Sequence, residues 1–376
     1  MLKTMTILGT RPELIKMSRV IFELDRHTHH ILVHTGQNYD WELNEVFFND
    51  LEIRKPDYYL GVKAETPAKS IAQVIEKSDA VLKRELPDAV LFYGDTNSCL
   101  AVIAAKRRKI PVFHMEAGNR CFDERVPEEL NRKILDHLSD INLVLTEHAR
   151  RYLVSEGVRP ETIIKTGSHM NEVLAHHIDK IKKSSIRREL NLENTPFFLA
   201  SFHREENVDD RKNLESILDA LNLLSEKHKA TVIISTHPRT SIKLEKLKKA
   251  DISDKLKFLK PLCFTDYLSL MMQAECTISD SGTITEEASL LNVPAITIRN
   301  AHERPEGMDV GTLIMSGLKK EDVCEAVRVT IDHYKNSVGH PSIPIDYSNN
   351  AVSKQILKII LSYTNYVNKT VWKKND

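Results

Sequence analysis

Net charge is missing from this sequence, in which 53 Lys and Arg offset 53 Asp and Glu. No long-range field therefore draws the chain onto nucleic acid or an anionic surface. Cysteine is scarce too. Cys99, Cys121, Cys263, Cys276 and Cys324 are odd in number and far apart, with no C-x-x-C pair, which excludes a disulfide framework and gives no zinc spacing. They read as free buried thiols of a reducing compartment. No apolar run approaches the roughly 18 residues that span a bilayer. The apolar opening Met5-Thr6-Ile7-Leu8 stops at Gly9-Thr10-Arg11. Also absent is G-x-G-x-x-G, so a dinucleotide fingerprint is not supported. The expectation is a soluble, cytoplasmic protein with no nucleic-acid or membrane partner and no cofactor or metal.

What is present is length and alternation. At roughly 150 residues per domain, 376 residues make about two domains. Short apolar runs alternate with longer amphipathic stretches, the pattern of βα units on a buried parallel sheet. Strands are predicted at 3–8, 30–34, 89–93, 111–115 and 141–145, with helices at 12–26, 41–50, 67–85, 96–108, 127–139 and 147–156. The charged segment 179–188 precedes a second series. Its strands fall at 197–201, 231–235, 256–259, 276–279 and 294–298, and its helices at 212–227, 241–249, 265–274 and 284–291. The fold class is α/β, with two Rossmann-like, doubly wound domains at 1–175 and 176–349. A last helix at 350–364, within 350–376, follows Pro341 and Pro344 and is placed back on the first domain. Ligands of such sheets bind beyond the carboxyl ends of the strands, and the cleft between two such domains is the expected site.

The strand ends carry the chemistry. Gly9-Thr10-Arg11-Pro12-Glu13-Leu14-Ile15-Lys16 sets a tight turn, a proline suited to a first helical position, and two cations near a helix start. Asp95 ends another strand, where it could equally cap a helix. Glu116 ends a third, beside Gly118, and Glu128-Glu129 opens a helix. At least one of that last pair reads as a response to the helix dipole. Acids crowded on one rim shift one another's ionisation and can divide acid and base roles. The second half differs. His203-Arg204 follows its first strand and His237 its second, while Asp280-Ser281-Gly282 runs into a helix whose amides suit a diphosphate, with an ordinary strand-to-helix connection as the alternative. Glu287 lies one turn in, able to accept from ribose hydroxyls, and Arg304 adds a cation. The first half thus bears acids and the second half binds phosphate, as a nucleotide-linked sugar would require.

These blocks together resemble the non-hydrolysing UDP-N-acetylglucosamine 2-epimerase family. The resemblance rests on residues 9–16, Gly94-Asp95-Thr96, His114 to Gly118, Pro127 to Arg132, His203-Arg204, Asp280 to Gly282, Glu286-Glu287 and Glu303 to Glu306, in order. It implies a glycosyltransferase-B-like pair of domains with the active site in the interdomain cleft, a homodimer, and a UDP-sugar substrate. It also implies Asp95, Glu116 and Glu128 as acid/base carboxylates with His203 near the leaving diphosphate. Arg11, Lys16, Arg204, His237, Ser281, Gly282, Glu287 and Arg304 would bind UDP. Tyr267 matches an aromatic residue set against uracil, with core packing as the alternative.

Two blocks depart from members acting on UDP-N-acetylglucosamine, Asn119-Arg120-Cys121-Phe122-Asp123-Glu124-Arg125-Val126 and His203-Arg204-Glu205-Glu206-Asn207. Both are similar to a branch that converts UDP-2-acetamido-2,6-dideoxy-L-talose to UDP-N-acetyl-L-fucosamine for surface polysaccharide such as capsule or O-antigen. Thr35-Gly36-Gln37-Asn38-Tyr39 also differs, so an allosteric substrate site is not implied. Rival expectations are a UDP-N-acetylglucosamine 2-epimerase, a glycosyltransferase on the same scaffold, a hydrolysing relative, and a non-catalytic UDP-sugar sensor. His27, His29, His30, His176 and His177 read as polar helix ends, and Arg107-Arg108-Lys109 as a solvated one.

Overall fold

A computed structural model describes residues 1–36, 51–245, 253–301, 304–336 and 342–374. The helix expected at 41–50, residues Gln37 to Tyr39 and Glu303 lie outside these. The chain divides into two units, residues 1–175 with 346–376, and 176–345.

The first unit is built on β1 (Lys3–Leu8), β2 (His29–His34), β3 (Tyr58–Tyr59), β4 (Ala89–Tyr93), β5 (Val112–Ala117), β6 (Ile141–Val144) and β7 (Ile163–Lys165). All pair in parallel, in the order β3-β2-β1-β4-β5-β6-β7. Strands covered on both faces need no polar alternation, and β4, Ala-Val-Leu-Phe-Tyr, is buried throughout. Met5, Ile7, Val33, Val90, Phe92 and Val112 pack with Val74 and Leu82 of helix Pro67–Glu85. The final helix, Val352–Thr370, packs on helix Arg11–His27. The chain rejoins this unit at Asp346, whose carboxylate meets Lys165 Nζ at 2.9 Å and whose carbonyl accepts Ser168 N–H at 2.8 Å.

The second unit carries β8 (Phe197–Ser201), β9 (Thr231–Ser235), β10 (Leu256–Leu259), β11 (Thr277–Ser279), β12 (Ala295–Thr297) and β13 (Ile314–Met315). These form a parallel sheet in the order β10-β9-β8-β11-β12-β13. In both sheets the chain first winds outward on one side of its first strand and then crosses to the other. The order therefore reverses at β1/β4 and at β8/β11, and helices leaving neighbouring strands on opposite faces open a crevice there.

Several elements depart from the sequence expectation. Strands β3, β7 and β13 and helices Met170–Lys183 and Lys320–Asn336 were not anticipated, and the charged segment 179–188 is largely helical. The expected helix 96–108 begins as a 3-10 turn, Asn97–Ala101, before Val102–Arg107. Three histidines are corrected. His29 and His30 are no helix ends but β2 residues, His29 exposed and His30 with a buried side chain held by Asp25 at 2.6 Å and Thr6 at 2.9 Å. His177 is fully buried inside its helix, edge-on to Phe264 at 5.8 Å. Arg108 is not simply solvated either, since it forks onto both Asp79 oxygens at 2.6 Å. No helix among the described residues is long and apolar enough to cross a membrane.

Ile356, fully buried in the final helix, ties that helix to the first unit. Ile356→Ala should cost about 2–4 kcal/mol, read from urea unfolding. A loss under about 1 kcal/mol would mean that the helix is not docked.

Candidate active site

At the β1/β4 crevice the backbones approach closely. A side chain on Gly9 would meet Ser98 Oγ at 2.0 Å and Thr35 Oγ1 at 2.2 Å, so only glycine fits. The turn then enters helix Arg11–His27 with Pro12 in its first turn. Glu13 reaches back and accepts Gly9 N–H at 2.6 Å and Thr10 N–H at 2.8 Å on one oxygen. Its other oxygen accepts the Thr96 hydroxyl at 2.6 Å. Burial lifts its pKa to about 7, against these three hydrogen bonds and with help from the nearby Asp95 charge. Arg11 opens this helix, and Lys16 follows one turn later on its buried face.

Glu116 stands where β5 bulges. The pairing with β6 shifts register between Met115 and Ala117, and Glu116 has φ +67°, left-handed for a residue with a side chain. Lys16 Nζ lies 3.0 Å from its Oε2, the two side chains only 6% and 12% exposed. The Tyr93 hydroxyl donates to the same oxygen, and Asn119 Nδ2 donates to Oε1 at 3.2 Å. Donors on both oxygens, one a cation, stabilise the carboxylate as an anion. Beneath it Asp136 anchors the bulge. It meets His114 Nδ1 at 2.8 Å and Arg120 Nη1 at 2.7 Å and accepts Gly118 N–H at 3.1 Å. Burial pushes this carboxyl up, but His114 and Arg120 overcome it and hold the group below the usual range.

Asp95, just past β4, is bridged by Arg132 at 2.8 Å. The same guanidinium meets Glu129 Oε2 at 2.8 Å. Glu128 and Glu129 share the first turn of helix Pro127–Leu138 but part company there. Glu129 is fully buried and accepts Cys121 and Phe122 N–H at 3.2 Å, pinning the loop after β5, whereas Glu128 is half-buried. The first unit thus holds Asp95 and Glu116 at the carboxyl ends of β4 and β5, Asp95 on Arg132 and Glu116 on Lys16, with Arg11 opening the helix after β1 and Glu128 in the first turn of helix Pro127–Leu138. Sequence reasoning gave no role to Glu13, Tyr93, Asn119 or Arg132. Two of these, Glu13 and Arg132, sit inside the motif blocks, and their partners were the missing signal.

The β8/β11 crevice of the second unit is organised by Asp280, also without a role in the sequence reading. It is fully buried and accepts His203 N–H and Arg204 N–H at 3.0 Å and Asn207 Nδ2 at 3.0 Å. Its Oδ1 lies 3.4 Å from His203 Nδ1, which turns the other ring nitrogen away from the carboxylate. Crowding by the protein, then the Arg204 and Arg299 charges, hold His203 below its ordinary value against the pull of Asp280. His237, after β9, stands 5.5 Å from His203, ring to ring. Tyr267, on helix Phe264–Met271, bonds Ser201 and Ser279 at the ends of β8 and β11, and burial raises its pKa. Ser281 Oγ meets Thr283 Oγ1 at 3.0 Å in the turn with Gly282, ahead of helix Ile284–Leu291, which bears Glu287. Arg304 is buried against Glu286 at 3.2 Å. Among the described residues no cluster of His, Cys, Asp and Glu could hold a metal ion.

The chain as a whole is similar to known proteins. Residues 22–361 match the family model described as UDP-N-acetylglucosamine 2-epimerase. A solved UDP-N-acetylglucosamine 2-epimerase from Rickettsia bellii is 58% identical, covers all of both chains and superposes with a TM-score of 0.93. The Methanocaldococcus jannaschii UDP-GlcNAc 2-epimerase, solved with UDP-GlcNAc and UDP, is 33% identical over 96% of this chain and 99% of its own, with a TM-score of 0.88. A Pseudomonas aeruginosa UDP-2,3-diacetamido-2,3-dideoxy-D-glucuronate 2-epimerase is 32% identical over 88% of this chain and 92% of its own.

Asp136→Asn would leave the Arg120 and His114 side chains facing a neutral amide and should cost about 3 kcal/mol in urea unfolding. A cost under about 1 kcal/mol would contradict the anchoring role. In an NMR titration of the free protein, the His203 ring should change protonation below pH 6.5, its ordinary midpoint. A midpoint above that value would show Asp280 outweighing the surrounding protein.

Proposed function

The chain belongs to the UDP-N-acetylglucosamine 2-epimerase family, and from that membership we propose how it acts and on what. It is a non-hydrolysing UDP-sugar 2-epimerase, an isomerase. The residue roles rest on one observation above the others: two carboxylates, Asp95 and Glu116, stand at the ends of adjacent strands, each held by a different cation.

The proton on carbon 2 of a 2-acetamido sugar is not adjacent to a carbonyl and is too weakly acidic for a carboxylate alone. The leaving group must assist. In the proposed cycle a carboxylate takes the proton from carbon 2 while the bond from carbon 1 to the UDP oxygen breaks, its electron pair leaving with UDP. A 2-acetamidoglycal and UDP remain bound. UDP then adds back to carbon 1 as a proton is delivered to the opposite face of carbon 2. Both faces need an acid or base. Glu116, stabilised as an anion by Lys16, Tyr93 and Asn119, suits the base, with Asp95 and Glu128 the candidates for the other face. The amides around Ser281 and Gly282, with Arg204 and His203, would receive the diphosphate charge as UDP leaves. Tyr267, His237, Glu287 and Arg304 complete that nucleotide-binding set.

For the substrate we favour UDP-2-acetamido-2,6-dideoxy-β-L-talose, giving UDP-N-acetyl-β-L-fucosamine, on the two blocks that depart from the UDP-N-acetylglucosamine enzymes. The first of these is specifically built, because Glu129 and Arg120 fix the loop at Asn119 to Phe122. UDP-N-acetylglucosamine, giving the mannosamine epimer, is the second reading, favoured by the relatives' names. Relatives differ in the sugar they are named for, so family membership leaves both open.

Proton NMR of the protein with each UDP-sugar in heavy water should show deuterium entering carbon 2 of the L-talose substrate. Turnover of UDP-N-acetylglucosamine alone would overturn that substrate. Asp95→Asn and Glu116→Gln should each lower kcat by about 10³-fold or more while UDP binding, read by calorimetry, persists. Unchanged kcat in either variant would remove that residue from proton transfer.

A further inference from the structure

Glu13 lies beneath the reacting groups and touches both sides of the β1/β4 crevice. One of its oxygens holds the two N–H groups of the turn that leads to Arg11 and Lys16. The other holds Thr96, the residue after Asp95. It is only 3% exposed. The helices that follow the two turns leave on opposite faces of the sheet.

We propose that Glu13 is a positioning residue for proton transfer, a clamp that fixes the Asp95 turn against the turn carrying Arg11 and Lys16. The proposal deepens the epimerase reading and rests on it for its kinetic test. Lys16 is in turn bonded to Glu116, so the clamp sets the spacing between the two carboxylates through one rigid path: Asp95, Thr96, Glu13, the helix, Lys16, Glu116. Displacement of a reacting group by about 1 Å can cost 10²-fold in rate without affecting binding of the rest of the substrate. The lifted pKa of Glu13 is the electrostatic counterpart of its isolation, since no Lys or Arg is among the partners that offset its burial.

Three variants separate a clamp from mere bulk. Glu13→Ala removes all three bonds and should lower kcat about 100-fold with KM changed less than about 3-fold. Thr96→Val removes one bond and should lower kcat about 10-fold, again with KM held. Glu13→Gln can keep its carbonyl on Gly9 and Thr10 and donate its amide to the Thr96 oxygen, so it should restore most of the rate. An alanine variant as active as the wild type, or a glutamine variant as poor as the alanine one, would overturn the proposal. So would losses appearing wholly in KM. Amide hydrogen exchange supplies a readout independent of turnover. The Gly9 and Thr10 amides should exchange slowly in the wild type and markedly faster in Glu13→Ala, and equal rates would refute the clamp. If the wild type turns over no UDP-sugar, the functional reading fails, while exchange still judges the clamp.

Discussion

Glu13, Asp95, Glu116 and Glu129 converge on the end of one sheet, and acids this close destabilise a fold unless each is answered. The first unit is organised around those answers. Lys16 and Tyr93 serve Glu116, while Arg132 is shared between Asp95 and Glu129. Glu13 receives hydrogen-bond donors in place of a cation, and it is the one whose ionisation moves to about 7. A deeper layer, Arg120 between Asp136 and Glu156, holds the strand end that presents Glu116. Acids gathered this closely thus need a second set of residues that answer their charge.

The crevice of the second unit gathers backbone amides, hydroxyls and a histidine, with Asp280 as the buried post from which the first strand-end loop hangs, and it is this set that we propose receives negative charge. The same winding reversal occurs in both sheets. Topology chooses the location, and the residues at the two crevices differ in kind.

Much of this was legible in the sequence because continuous apolar runs bounded by helices carry a strong signal. Strands 197–201, 231–235 and 256–259 and helices 67–85 and 284–291 lie where the pattern puts them. Edge strands of two or three residues, such as Tyr58–Tyr59 and Ile314–Met315, have no periodicity to read. Polar residues buried by long-range partners were the other gap. His177 looks like a helix-end histidine until Phe264, far along the chain, covers it. Glu129 looks like a dipole-matched acid until two loop amides and Arg132 close on it. The motif blocks marked where the acids lie but not what each one holds, because a hydrogen bond between residues 13 and 96 leaves no trace in local spacing.

The left-handed backbone at Glu116 puts the residue at odds with the stability of its own protein. A side chain there costs about 1–2 kcal/mol that glycine would not. On backbone conformation alone glycine would suit this position better, so a glutamate there spends stability to hold a carboxylate at the end of β5.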